Sequence, residues 1–230
     1  MEKKIAIVSG ANGNLGSAVV DYLLQENWQV NGLVHSKKEK NSNPNYHELE
    51  LNLMDDSLSE SYVQEIIKER KRIDSLVLTV GGFKMGDIAK TSSADIVEQF
   101  NLNFLTAYHL VKPVLSQMKT QQQGTIFFVG SFRGQDTTKG GKFVAYSLAK
   151  SLLFSLADMI NAEAKEEAIK AYVVVPNTID TPQNRKAMPN ADFSQWEKPA
   201  DIAKIIGKYT SDYDKTTKNI LIVEEGLKLL

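Results

Sequence analysis

Residues 4–8 form a short apolar run, and the segment that follows, SGANGNLGSAVVDYLLQ, places glycines at 10, 13 and 16 and then apolar residues at helical spacing. This order predicts a buried strand, a glycine turn and a helix, the opening of a βαβ unit. Glycines let the backbone turn sharply and approach a pyrophosphate, while the first turn of the helix offers free N–H groups and the positive end of its dipole. Gly10, Asn12, Gly13, Asn14, Leu15 and Gly16 are therefore read as a dinucleotide cradle, with plain strand–helix packing as the alternative.

A second stretch carries the chemistry. Residues 125–129, TIFFV, read as a strand ending at Gly130-Ser131; a glycine-rich bend follows, and YSLAK opens a helical pattern that runs to residue 165. Tyr146 and Lys150 are four residues apart and share one helix face. An ammonium beside a phenol favours the phenolate, so Lys150 is expected to lower the tyrosine pKa towards the range of a general acid. The pair Tyr108 and Lys112 has the same spacing, and chance gives about one such pair in a chain of this composition. Only Tyr146 follows a strand whose end carries a serine, so Tyr108 is read as part of an ordinary amphipathic face. Tyr146, Lys150 and Ser131 form the candidate proton-donating site beside a nicotinamide.

Further strand-like runs cover 28–34, 46–51 and 73–80, with helical patterns over 58–71 and over 93–118, the latter interrupted at Pro113. The run 73–80 is apolar enough for a parallel strand buried on both faces. Gly81 and Gly82 follow it at once and would let a flat cofactor lie close to the backbone; a plain turn is the alternative. Where a dinucleotide fold carries an acid for the adenosine ribose, this chain has Val34-His35-Ser36-Lys37-Lys38. A hydroxyl and two ammonium groups would receive a 2′-phosphate that a carboxylate repels, which favours NADP(H) over NAD(H); the alternative is a solvated charged loop. Strands are expected again at 171–175 and 219–223, with a last helix at 198–209. The long polar segment 176–196 suits a loop that closes over a ligand, with Phe193 and Trp196 read chiefly as packing it to the body.

Composition limits the remaining possibilities. At 230 residues with 42% apolar content the chain can build one sizeable core, which argues for a single α/β domain. A formal charge of −1 gives no general field for nucleic acid or an anionic membrane. The absence of cysteine excludes disulfides and thiolate chemistry, and His35, His47 and His109 lack metal-ligand spacing, so no metal is expected. No signal-peptide core and no run of about 18 apolar residues occurs, so a cytoplasmic protein is the expectation.

With SGANGNLG, Ser131, YSLAK and PNTIDTP in view, the chain resembles the short-chain dehydrogenase/reductase family over essentially its full length. Within it the resemblance is to the dihydropteridine reductases and their bacterial relatives, through LGSAVV, NWQV, TVGGF and above all TPQNRKAMPNADFSQW. The resemblance implies one Rossmann-like domain over residues 1–230: a doubly wound parallel sheet of about seven strands with helices on both faces. It implies an NAD(P)-dependent oxidoreductase in which Tyr146 gives the proton, Lys150 binds the nicotinamide ribose and lowers the tyrosine pKa, and Ser131 hydrogen-bonds the substrate oxygen. Asn103, rather than Asn101, would be the helix asparagine that holds a relay water. The chain departs from the family in three motifs. The glycine spacing is G-x-x-G-x-x-G; Thr79-Val80-Gly81-Gly82 replaces NNAG; and Pro176-Asn177 replaces PG, leaving Pro176, Thr178, Ile179 and Thr181 as cofactor contacts. Ser131 and the absent acid at Val34 point to an NADPH-linked carbonyl reductase, with dihydropterin reduction left open. A homodimer or homotetramer, paired through the helices beginning near Ser93 and Tyr146, is also implied. The rival is a catalytically silent NADP(H)-binding sensor, a class that characteristically lacks the tyrosine and lysine.

Overall fold

The computed structural model describes residues 3–37, 42–211 and 218–223. Seven strands make one sheet: β1 (Ile5–Ser9), β2 (Gln29–Val34), β3 (Tyr46–Glu50), β4 (Ser75–Leu78), β5 (Gln123–Val129), β6 (Ala168–Val175) and β7 (Ile220–Ile222). Their order is β3-β2-β1-β4-β5-β6-β7, and every pairing is parallel. The chain moves outward from β1 in one direction and from β4 in the other. The carboxyl ends of β1 and β4 therefore diverge into a crevice at the switch point.

Side-chain alternation assembles two cores from one set of strands. Ile5 and Ile7 of β1 face one apolar cluster, while Ala6 and Val8 face the other; Ile126 and Phe128 of β5 are likewise separated from Phe127. The first cluster is covered by α2 (Asp56–Arg70), α4 (Thr106–Gln121) and α6 (Val144–Glu163), the second by α1 (Asn14–Gln25) and α8 (Pro199–Ser211). With α3 (Ser93–Phe100), α5 (Phe132–Gln135) and α7 (Pro182–Ala187), this is the doubly wound, Rossmann-like α/β architecture that the sequence predicts.

One element differs from expectation. Pro113 does not interrupt the helical segment: it lies buried inside α4, where one missing N–H is tolerated. The irregularity lies earlier, in a π-helical turn at Asn101–Leu105 between α3 and α4. Such turns are inserted where a side chain must be re-aimed, and this one contains Asn103.

Candidate active site

The glycine loop joins β1 to α1 at the switch point. Gly10 adopts φ +65, and a β-carbon on Gly16 would fall 2.1 Å from the Gly10 carbonyl oxygen, so the helix starts in contact with the turn it leaves. Gly13 is the N-cap of α1 and supplies no capping side chain; the first α-type bond runs from Ser17 N–H to Gly13 O at 2.9 Å. The N–H groups of the first turn are thus left for another acceptor, and no acidic residue occupies that turn. A cleft of about 490 Å³ opens over them, walled by Gly10, Asn12, Gly13, Asn14, Leu15 and Gly16, by His35 past β2, and by Gly81, Ile179 and Thr181. These donors and a cleft of this volume fit a nicotinamide dinucleotide.

Other cofactor candidates lie outside the wall of that cleft. Ser36 and Lys37 are exposed at its rim, where the Asn12 amide donates to Ser36 O at 2.6 Å; Lys38 lies outside the described residues. Pro176 is buried, and the Thr178 N–H donates to the Glu197 carboxylate at 3.0 Å. Gly82 donates its N–H to Asn103 Oδ1 at 3.1 Å, and a β-carbon on it would meet Leu102 at 2.4 Å. The space beside Gly81 is likewise filled by protein, with Asn103 Oδ1 at 2.8 Å and Lys150 Nζ at 3.2 Å from a built β-carbon. The two glycines admit these side chains to the strand end, and Gly81 also lines the cleft.

The four catalytic candidates converge just past Gly81. Asn103 is buried in the π turn; its amide N–H groups donate to Gln99 O and Gln99 Oε1, both at 3.2 Å. Lys150, 5% exposed, donates to Val129 O at 2.8 Å. Ser131 caps α5, its Oγ accepting from Arg133 N–H at 3.2 Å. A serine oxygen that accepts there still has its proton to give, and the Ser131 hydroxyl lies close enough to the phenol of Tyr146 to act on its pKa. Asn101, the other asparagine of the π turn, is not part of this contact.

The electrostatics correct one expectation. Tyr146 has its pKa pushed above the ordinary phenol value, by burial first; the hydrogen bond from Ser131 and the charge of Arg133 pull it back. Lys150 does not lower it as expected. One of its three N–H donors goes to Val129 O, the ammonium stands 6.0 Å from the tyrosine ring centre, and burial brings its own pKa down to about 8.

The structure adds residues that the sequence reading missed. Thr79 replaces the asparagine of the family motif: its hydroxyl donates to Ser9 O at 2.6 Å and its N–H to Ser9 Oγ at 3.2 Å, tying β4 to β1 beside the crevice. Leu51, Asn52, Leu53 and Met54 line the far end of the cleft, which their position at the end of β3 could have signalled. Phe83 meets Tyr146 edge-on at 5.1 Å, and Arg133 lies over the ring of Phe143 at 4.3 Å. Among the described residues no group of three or more His, Asp or Glu could hold a metal ion, and no helix is long and apolar enough to cross a membrane.

Relatives agree with this architecture. The chain is 26% identical to the 3-oxoacyl-[acyl-carrier-protein] reductase FabG of Buchnera aphidicola subsp. Acyrthosiphon pisum, over 100% of this chain and 99% of that protein. It is 22% identical to the dihydropteridine reductase of Dictyostelium discoideum, over 97% and 94% of the two chains. The solved structure of ElxO with NADP bound shares the fold, with a TM-score of 0.87 and 21% identity over 98% of each chain. Residues 4–192 match the family model for short chain dehydrogenases, and the chain belongs to that family of oxidoreductases, which use NAD(P)(H).

Proposed function

We propose that this protein is an NADPH-linked reductase of a carbonyl or dihydropterin-like substrate, with Tyr146 as proton donor. The observation that carries the reading is the gathering of the Ser131 hydroxyl and the buried Lys150 ammonium about the half-buried phenol of Tyr146, the ammonium 6.0 Å from its ring centre and held by burial at a pKa of about 8. Its similarity to a FabG and to a dihydropteridine reductase, and a fold shared with ElxO bound to NADP, support it.

The first turn of α1, with Gly10, Asn12, Gly13, Asn14, Leu15 and Gly16, would hold the pyrophosphate. His35, Ser36 and Lys37 would receive the 2′-phosphate, and Gly81, Gly82, Lys150, Pro176, Thr178, Ile179 and Thr181 would surround the nicotinamide riboside. When bound, the cofactor supplies the hydride. The protein supplies the proton and the charge. A phenol whose pKa is raised keeps its proton at neutral pH and can give it to a substrate oxygen that Ser131 holds in place. Lys150 is cationic below about pH 8, and the donors that Val129 O leaves free would bind the nicotinamide ribose. Both amide donors of Asn103 are engaged by Gln99, so the remaining lone pair of Oδ1 would hold the relay water.

Residues 1–230 act as one domain in this reading, and two copies pair through α3 and α6, where Ile96, Val97, Leu148, Leu152 and Met159 are exposed. The direct test is NADPH consumption with a panel of ketones, quinones and dihydropterins. Turnover of at least one class is expected; NADPH binding without turnover of any would contradict the proposal.

A further inference from the structure

The phenol of Tyr146 has a wall on one side that the steps above do not use. Phe83, 56% exposed, sets its ring against Tyr146 at 5.1 Å and 69° and against Phe143 at 5.2 Å. Two backbone bonds join the strands of this wall: Gly86 N–H donates to Lys142 O and Val144 N–H to Gly86 O, each at 2.9 Å. Lys84 fastens the same loop to α3 through Asp95 and Glu98. The segment leaving β4 and the start of α6 thus form one surface, with Phe143 three residues before Tyr146.

Arg133 completes it. Its backbone N–H is held by Ser131, whose hydroxyl acts on the phenol, and its guanidinium carbon lies 4.3 Å over the Phe143 ring. Stacking on a ring fixes a guanidinium without using its N–H donors. Among the described residues no carboxylate or carbonyl accepts from them. Two other cations on these segments are paired, Lys84 with Asp95 and Glu98 and Lys139 with Asp136. Asp136, the acid closest to Arg133 in sequence, is occupied by Thr138 and Lys139. A half-buried cation held beside the reacting hydroxyl with its donor edge free is arranged to receive an anion.

We infer that Arg133 reads a carboxylate on the substrate, next to the carbonyl that Tyr146 protonates, while Phe83 covers the substrate's flat apolar part. The substrate class is a planar, aromatic oxo-acid. This rests on the proposed reductase reading. In the reaction the carbonyl carbon takes the hydride from NADPH and the oxygen takes the proton from Tyr146. A hydroxy acid and NADP⁺ result, and the carboxylate is unchanged.

The test uses phenylglyoxylate and its methyl ester, which share a planar ketone and differ in charge. Arg133→Met keeps the stem packed on Phe143 and removes the charge; Arg133→Lys keeps the charge and loses the fork. In Arg133→Met, kcat/KM for phenylglyoxylate should fall roughly 10- to 100-fold and that for the ester less than about threefold, with Arg133→Lys in between for the acid. Equal losses for acid and ester would mean that Arg133 acts through the fold or the phenol, and would overturn the inference. So would a wild-type protein that reduces the ester and rejects the acid, while leaving the reductase reading intact. Reduction of neither, with ketones of other classes also inert, would remove both.

Discussion

Lys150 donates its ammonium proton to the carbonyl oxygen of Val129 at 2.8 Å from a fully buried position, and burial lowers its pKa from 10.5 to about 8. Below about pH 8 the lysine is charged in the folded and unfolded chains alike, and the folded protein bears the full cost of the buried charge. Between about 8 and 10.5 the folded protein has released the proton while the unfolded chain still binds it, so the cost is relieved as pH rises. The wild type should therefore gain stability relative to Lys150→Met across that window, by up to about 3 kcal/mol. Urea unfolding of both proteins at pH 7, 9 and 10.5 measures this. A constant difference would show that Lys150 is not held against its charge.

The contact of Gly16 with Gly10 is between backbones and cannot yield by a side-chain rotation. Gly16→Ala should force α1 from the sheet, destabilise the protein by about 2–4 kcal/mol and weaken NADPH binding more than tenfold. Gly13→Ala meets only Gly10 O at 3.1 Å and should cost under about 1 kcal/mol. Thermal unfolding and fluorescence titration would separate the two; equal effects would contradict the packing argument.

Lys37 lies exposed past the end of β2, where Val34 stands in place of an acid. NADPH should bind at least about tenfold more tightly than NADH, and Lys37→Glu should remove most of that preference while changing NADH affinity less than about threefold. Raising salt should narrow the gap, because the site is open to solvent. Equal affinity of the wild type for both cofactors would reject the reading.

The strand–glycine–helix opening and the apolar runs of β4, β5 and β6 were legible because buried parallel strands leave little choice of composition. Tyr146 and Lys150 were legible because an i,i+4 pair needs only a helix. What depends on tertiary contact was not. The π turn around Asn103 has no local signal that outweighs Pro113, and the exchange of asparagine for Thr79 makes sense only with Ser9 alongside it. The pKa of Tyr146 followed the same rule: sequence spacing supplies a neighbouring charge, whereas burial, visible only in the fold, sets the direction. Arg133 and Phe83 are far apart in sequence and each packs on Phe143, which pairs with Gly86.

The proton held by Tyr146 is the one the reduction would consume. With any substrate that consumes NADPH, Tyr146→Phe should lower kcat by a factor of about 10² or more while leaving NADPH affinity within about threefold, since the ring and its packing against Phe83 persist. An unchanged turnover number in the folded variant would contradict the assignment.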